Sequence, residues 1–285
     1  MDIDRIRFMY DLFVGTMTRR NACPVCGILS NDIVGRKHTI CFLRRCTNCS
    51  LLYRTPIDKI GFGAKYYQDD YHESMTTELP DKAQLEKYKS NRFINMGKNI
   101  DPIIDILEMA ELENNSLVLD FGCSWGYSAW QFKTRGYHCK GYEISLPRAK
   151  YARDVLGIEL VSHVEDLKGE IDLFFSSHVL EHVPNPLDTL SLAIDVVRPG
   201  GLVLFITPNG SFNYRTKAPN NWYSLWGRKH PFALDELFYQ KHLVDHDYFI
   251  TSTFLKDTVD KYIMNGGQSI ENVDGPVLYC LIKRK

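Results

Sequence analysis

Between Ser116 and Thr207 the chain alternates short apolar runs with longer stretches of mixed polarity. The runs Ser116–Asp120, His138–Tyr142, Glu159–Val161, Ile171–Ser176 and Leu202–Thr207 have the length and β-branched or aromatic content of strands. The stretches between them carry helix punctuation. One helix is predicted from about Trp125 to Arg135, closed by Gly136. A second is capped by Ser145, has Pro147 in its first turn and ends at Gly157, and a third runs from Pro186 to Val197. Helices that regularly separate apolar strands predict a parallel sheet covered on both faces, with ligands at the carboxyl ends of the strands. After a helix near Leu234–Leu243, the segments Tyr248–Leu255 and Pro276–Ile282 read as closing strands, giving a seven-stranded α/β sheet over residues 101–285.

Upstream the pattern changes. Asp81 is placed to cap a helix running to about Lys98, and Asp101-Pro102 repeats the signal for a helix ending near Glu111. Residues 61–77, GFGAKYYQDDYHESMTT, are aromatic and polar without periodicity, so residues 59–100 are expected to form a connector. Its Tyr66, Tyr67 and Tyr71 have two readings, as packing residues or as a loop folded over a ligand.

The first 58 residues read as a third unit because of their cysteines. Five of the eight fall between Cys23 and Cys49, in the pairs Cys23-Pro-Val-Cys26 and Cys46-Thr-Asn-Cys49. Two-residue spacing lets both thiolates of a pair face one ion, and 19 intervening residues match a tetrahedral zinc site. Cys41 lies outside both pairs and is assigned to the core. The pattern resembles zinc ribbons, and also rubredoxin-like iron sites; without an electron-transfer partner in view, a structural Zn2+ is the expectation. So small a unit buries too little apolar surface to stand alone, and a metal would supply its folding energy.

Composition narrows the function. Hydrophobic residues make up 44% and charged residues 24%, an ordinary globular balance. Lys plus Arg total 34 against 35 for Asp plus Glu, a net charge of −1, so whole-molecule attraction to nucleic acid or anionic membrane is not expected. A local patch from Arg19, Arg20, Arg36, Lys37, Arg44 and Arg45 would be needed for nucleic-acid binding. No apolar run approaches the roughly 18–20 residues that cross a bilayer, and the amino terminus lacks a secretory core, so a cytoplasmic location is expected.

The chemistry concentrates at strand ends. The first strand leads into Leu117-Val-Leu-Asp-Phe-Gly-Cys-Ser-Trp-Gly126, where Gly122 and Gly126 permit a tight turn before the free amides of a helix. The second strand ends in Glu143, placed to accept from both hydroxyls of a ribose. An anion at Asp120 disfavours the pyrophosphate of a dinucleotide and suits a cofactor bearing a sulfonium and an amino group. Asp120-Phe-Gly122-Cys-Ser124-Trp-Gly126 resembles the first motif of the class I S-adenosylmethionine-dependent methyltransferases, with Ser124 replacing the middle glycine. Ile171–Leu190 and Arg198-Pro-Gly-Gly201 extend the resemblance over about residues 100–285.

The resemblance implies a Rossmann-like sheet with an antiparallel last strand, and S-adenosylmethionine as cofactor. It implies that Glu143 holds the ribose, that Ile144 packs on the adenine and that Asp166 accepts from the adenine amino group. Gly122, Cys123 and Ser124 would line the methionine part, and His178 would face cofactor or substrate. The whole arrangement is similar to bacterial methyltransferases of sugar, polysaccharide and natural-product pathways, implying a small-molecule or saccharide acceptor.

For an oxygen acceptor, His178, His182 and His230 are the candidate bases. His182 also reads as a loop-stabilising residue, and Glu181 is equally ambiguous. Asn209, Trp222, Tyr223 and Trp226, in the polar and aromatic stretch Thr207–Phe232, are expected to form an acceptor wall or to pack. The alternatives are an RNA methyltransferase guided by the ribbon, a cofactor-binding protein without turnover, and, last, an NAD-linked oxidoreductase.

Overall fold

The computed structural model describes residues 3–18, 20–57 and 78–285. The connector tyrosines Tyr66, Tyr67 and Tyr71, and Arg19, lie outside the described residues.

The chain opens with helix α1 (Ile3–Met17), followed by three antiparallel strands, β1 (Ile33–Lys37), β2 (Cys41–Arg45) and β3 (Leu52–Thr55). Helix α2 (Lys82–Ser90) starts as expected at Asp81. The Asp81 carboxylate accepts from the Gln84 amide at 2.8 Å, while the Gln84 side chain accepts from the Asp81 amide at 2.9 Å. The helix stops at Ser90 rather than near Lys98. Arg92 and Phe93 turn to positive φ, which seats Phe93, fully buried, against the rings of Trp125 and Trp130. Burial of a large aromatic overrides helix propensity here. In α3 (Asp101–Met109), Asp101 is the first helical residue and not the cap; its own amide donates to the Asn99 side chain.

The main sheet is built from β4 (Leu117–Phe121), β5 (His138–Tyr142), β6 (Glu159–Leu160), β7 (Ile171–Ser177), β8 (Val197–Pro208), β10 (Asp247–Thr251), β11 (Gln268–Glu271) and β12 (Val277–Lys283). Its order is β11-β10-β12-β8-β7-β4-β5-β6. Strands β4 to β8 pair in parallel, and β12 runs antiparallel between β8 and β10, as the resemblance implied. All seven expected strands form. The eighth, β11, has little apolar alternation of its own and adds in parallel to β10.

Successive residues of the central strands point to opposite faces. Leu119, Phe174, Val203, Ile250 and Ile282 enter one buried cluster, and Val118, Phe175, Leu204, Phe249 and Leu281 enter the other. Helices α4 (Tyr127–Thr134), α5 (Leu146–Leu156) and α6 (Pro186–Val196) follow the strand ends. Ser145 occupies the cap position of α5 without a side-chain capping bond.

The stretch after β8 folds into two short helices, α7 (Phe212–Lys217) and α8 (Pro219–Ser224), then strand β9 (Phe232–Ala233) and helix α9 (Glu236–His242). Strand β9 leaves the main domain to become the fourth strand of the amino-terminal sheet, pairing Tyr53 with Phe232 and Leu52 with Ala233. Beneath that sheet Leu12, Cys41, Leu43, Tyr214, Trp222 and Trp226 form a shared core. The cysteine-bearing unit and the main domain are therefore joined by backbone pairing as well as by side-chain packing.

Candidate functional site

The carboxyl end of β4 carries the glycine turn. Gly122, Ser124 and Gly126 all have positive φ, at 78°, 52° and 91°. A side chain at 122 would strike Val179 at 2.3 Å, so the turn is pressed against the segment that follows β7. Ser124 takes the left-handed conformation despite its Cβ, at a cost of roughly 1–2 kcal/mol. Its amide donates to one Glu143 oxygen at 2.9 Å and the Ser145 amide donates to the other at 2.7 Å. Glu143 thus bridges the ends of β4 and β5 with a carboxylate that still has lone pairs for further donors. Beside it, Ile144 is 43% exposed, an apolar side chain at the lip of the turn. Asp166 sits, exposed, in the short 3-10 turn Val164–Leu167 after β6.

Two members of the expected cofactor set sit differently. Asp120 is 2% exposed, beneath the turn, and burial pushes its carboxyl up to about 8 despite a backbone amide bond from Ala129. Burial thus favours the neutral form of a carboxyl that the sequence reading takes as an anion, and nearby Glu143 works in the same direction. Cys123 is 1% exposed, packed where a side chain at Gly141 would meet its sulfur at 2.7 Å. Only its backbone can line a ligand.

The three histidines meet. They come from the end of β7 (His178, His182) and from the loop before β9 (His230), and they surround Glu181. His178 Nδ1 lies 3.5 Å and His182 Nε2 3.8 Å from Glu181 Oε1, and the rings of His182 and His230 meet edge to face at 4.6 Å. Glu181 is 1% exposed and neither of its oxygens has a well-formed hydrogen bond among the described residues. Burial works to raise this carboxyl and the neighbouring imidazoles, His178 foremost, work to lower it; the balance falls below its ordinary value. Burial drives His182 down to about 4, against the pull of Glu181, so its ring is neutral at pH 7. His178 also has positive φ, 57°, with its amide bonded to the Ile206 carbonyl. Sequence reasoning named Glu181 without giving it a role. Its proximity to His230 depends on the long-range return of the loop before β9.

Of the two readings of the insertion, packing describes Asn209, Trp222 and Trp226, while Tyr223 stays 42% exposed. Asn209 is fully buried, donating to the Val273 and Gly275 carbonyls while accepting from the Ser211 amide. Trp222 donates to the Gly210 carbonyl, Trp226 lies under the Lys37 ammonium, and Tyr223 bonds the Arg36 carbonyl. The insertion is apolar enough to pack and is used to dock the cysteine unit.

In that unit the four sulfurs of Cys23, Cys26, Cys46 and Cys49 lie within 4.8 Å of one another, with no disulfide. Two matching turns hold them. The Cys23 amide donates to Ile28 and Gly27 returns to the Cys23 carbonyl; the Cys46 amide donates to Leu51 and Ser50 returns to the Cys46 carbonyl. Gly27 and Ser50, each directly after its cysteine pair, both take positive φ. The donor set and its shape fit a tetrahedral thiolate site. The neighbouring cations are engaged within the fold. Arg45 pairs with Asp235 and the Ser50 carbonyl, Arg44 bonds Thr55 and Ser30, and Lys37 bonds the Trp226 carbonyl.

A parallel sheet with its glycine turn and acidic second strand end defines a nucleotide-type cofactor fold. Residues 89–261 match the family described as "Methyltransferase domain", and the chain belongs to that family. It is 29% identical over 151 residues to the "Ubiquinone biosynthesis O-methyltransferase" of Aromatoleum aromaticum, covering 46% of this chain and 64% of that protein. The enzyme of the same name from Thiobacillus denitrificans is 35% identical over 103 residues, 32% of this chain and 44% of that one. The chain thus spans less than two thirds of the length of these relatives. Among solved structures, the geranyl diphosphate C-methyltransferase of Streptomyces coelicolor A3(2) superposes with a TM-score of 0.49 at 14% identity, over 78% of this chain and 97% of that one. Among the described residues no helix is long and apolar enough to cross a membrane.

Proposed function

We propose that this chain is an S-adenosylmethionine-dependent methyltransferase that acts on an oxygen of a small-molecule acceptor, with a structural zinc ion held by Cys23, Cys26, Cys46 and Cys49. The observation that carries the reading is Glu143, which spans from β5 to the Ser124 amide of the glycine turn. There its remaining lone pairs serve the ribose hydroxyls. Ile144 lies against the adenine, Asp166 accepts from its amino group, and the backbone of Gly122, Cys123, Ser124 and Gly126 accommodates the methionine portion. The bound cofactor supplies a methyl group on a cationic sulfur, and much of the rate comes from holding the acceptor oxygen in line with it. His178, half exposed beside Glu181, takes the acceptor proton, while His182 and His230 flank the buried carboxyl group.

The names of the relatives support oxygen as the acceptor atom, and the shared family supports methyl transfer. A saccharide acceptor has no such support, since Trp222 and Trp226, expected to stack on a sugar, are buried in packing. Calorimetry with S-adenosylhomocysteine tests the reading. Binding to the wild type, weakened at least about tenfold by Glu143→Gln, is expected; no binding, or equal binding by the variant, overturns it.

A further inference from the structure

The cluster beneath the cofactor turn contains more polar machinery than proton transfer needs. Glu181 is a buried carboxylate whose two oxygens lack proper donors, an arrangement that costs several kcal/mol unless something positive completes it. Among the described residues, the groups facing it are the imidazoles of His178, His182 and His230. One nitrogen from each of His182 and His230 and one Glu181 oxygen lie within 4.8 Å of one another.

Both imidazoles are oriented from behind. His182 Nδ1 meets the Lys229 carbonyl at 2.8 Å and His230 Nδ1 meets the Leu225 carbonyl at 2.6 Å. A carbonyl only accepts, so each Nδ1 carries the proton, and in the neutral ring Nε2 carries the lone pair. For His182 that nitrogen is the one turned toward Glu181. A ring fixed by Nδ1–H to a backbone carbonyl, presenting Nε2, is how metal-ligating histidines are held. Donors around one ion lie about 3–3.5 Å apart, from bond lengths of roughly 2.1 Å. The separations here, within 4.8 Å, exceed that by little more than 1 Å.

We propose that Glu181, His182 and His230 bind one divalent transition-metal ion at the floor of the cofactor cleft, with His178 Nδ1 beside it. Two imidazoles and a carboxylate favour ions such as Zn2+, Co2+ or Fe2+ over Mg2+ and Ca2+. Glu181 and His182 lie on the segment that presses on the glycine turn through Val179, which brings the site to the same end of the sheet as that turn. Its use there rests on the methyl-transfer reading. An acceptor hydroxyl that approaches the ion becomes more acidic and releases its proton to His178 or to water. The oxygen pair then forms the new C–O bond, and the S–CH3 bond breaks with its electrons left on sulfur as a neutral thioether.

The test is a Co2+ titration of the full chain followed by absorbance. Cobalt on nitrogen and oxygen donors gives weak visible bands, whereas thiolate ligation adds an intense ultraviolet charge-transfer band. One equivalent with the visible bands alone is expected. Glu181→Gln and, independently, His230→Ala should each weaken it at least about a hundredfold, since loss of even an outer partner of a ligand costs 10- to 100-fold. Absence of these bands in the wild type, or unchanged binding in both variants, overturns the proposal. Calorimetry with S-adenosylhomocysteine on the same samples separates the two readings. Cobalt binding without nucleoside binding sinks the methyl-transfer reading and leaves the metal site standing. Nucleoside binding without cobalt does the reverse.

Discussion

At the scale of single residues, the cofactor turn depends on backbone conformations that side chains resist. Gly122 combines positive φ with a neighbour in the way, whereas Gly136 has positive φ and nothing within 4 Å of an added Cβ. Gly136→Ala should therefore lose only conformational strain, about 1 kcal/mol, and Gly122→Ala about 2–4 kcal/mol, because Val179 must also move. Denaturant titration of the two variants reads the difference, and equal losses would remove the steric role of Val179. Asp120 gives a pH signature. Its carboxyl sits at about 8 in the folded chain against 3.8 ordinarily, with burial as the main cause. Between those values the native state holds the proton more tightly than the unfolded one, so this group's contribution makes stability fall as pH rises from about 4 to about 8. Asp120→Asn should flatten that part of the stability-pH curve; a slope unchanged by the substitution would contradict the buried, neutral assignment.

At the scale of elements, much was legible. The turn glycines, Glu143 and the paired cysteines announced themselves through spacing, because each works within a few residues of its neighbours. The boundaries of β5 and, to within one residue, of β12 followed from apolar runs, while the antiparallel sense of β12 came from the resemblance. What sequence could not disclose were partnerships across long separations. Asn209 looked like a recognition residue, yet its amide ties β8 to the loop before β12. Asn209→Ala should cost about 2–4 kcal/mol by leaving buried carbonyls unpaired, measured by thermal or chemical unfolding. Strand β9, two residues long, has no periodicity to detect, and the aromatic insertion revealed its composition but not which surface it serves. The capping of α2 by Asp81 was readable; its early end was not, since it depends on where Phe93 finds a cavity.

At the scale of the whole molecule, the cysteine unit is expected to behave as part of the main fold. The protein as purified should contain one zinc per chain in the cysteine cluster, by metal analysis. Cys46→Ser or a strong chelator should remove it and shift the emission of Trp222 and Trp226 to the red, since both tryptophans are buried between that unit and the insertion. Retained zinc with unchanged emission in Cys46→Ser would refute this linkage. Cys49 adds a second tie, its carbonyl meeting His242 Nε2 at 3.0 Å on α9.

The crossing of β9 into the other sheet has a further consequence. His230 is followed directly by Pro231, whose carbonyl accepts from the Arg54 amide, and by Phe232, zipped to Tyr53. The imidazole that completes the group around Glu181 is therefore anchored by residues more than 170 positions earlier in the chain. An amino-terminal deletion intended to isolate the main domain would keep every residue of that group and still release one of its members. Thiol oxidation that loosens the first sheet would act on the cluster around Glu181 through the same short tether.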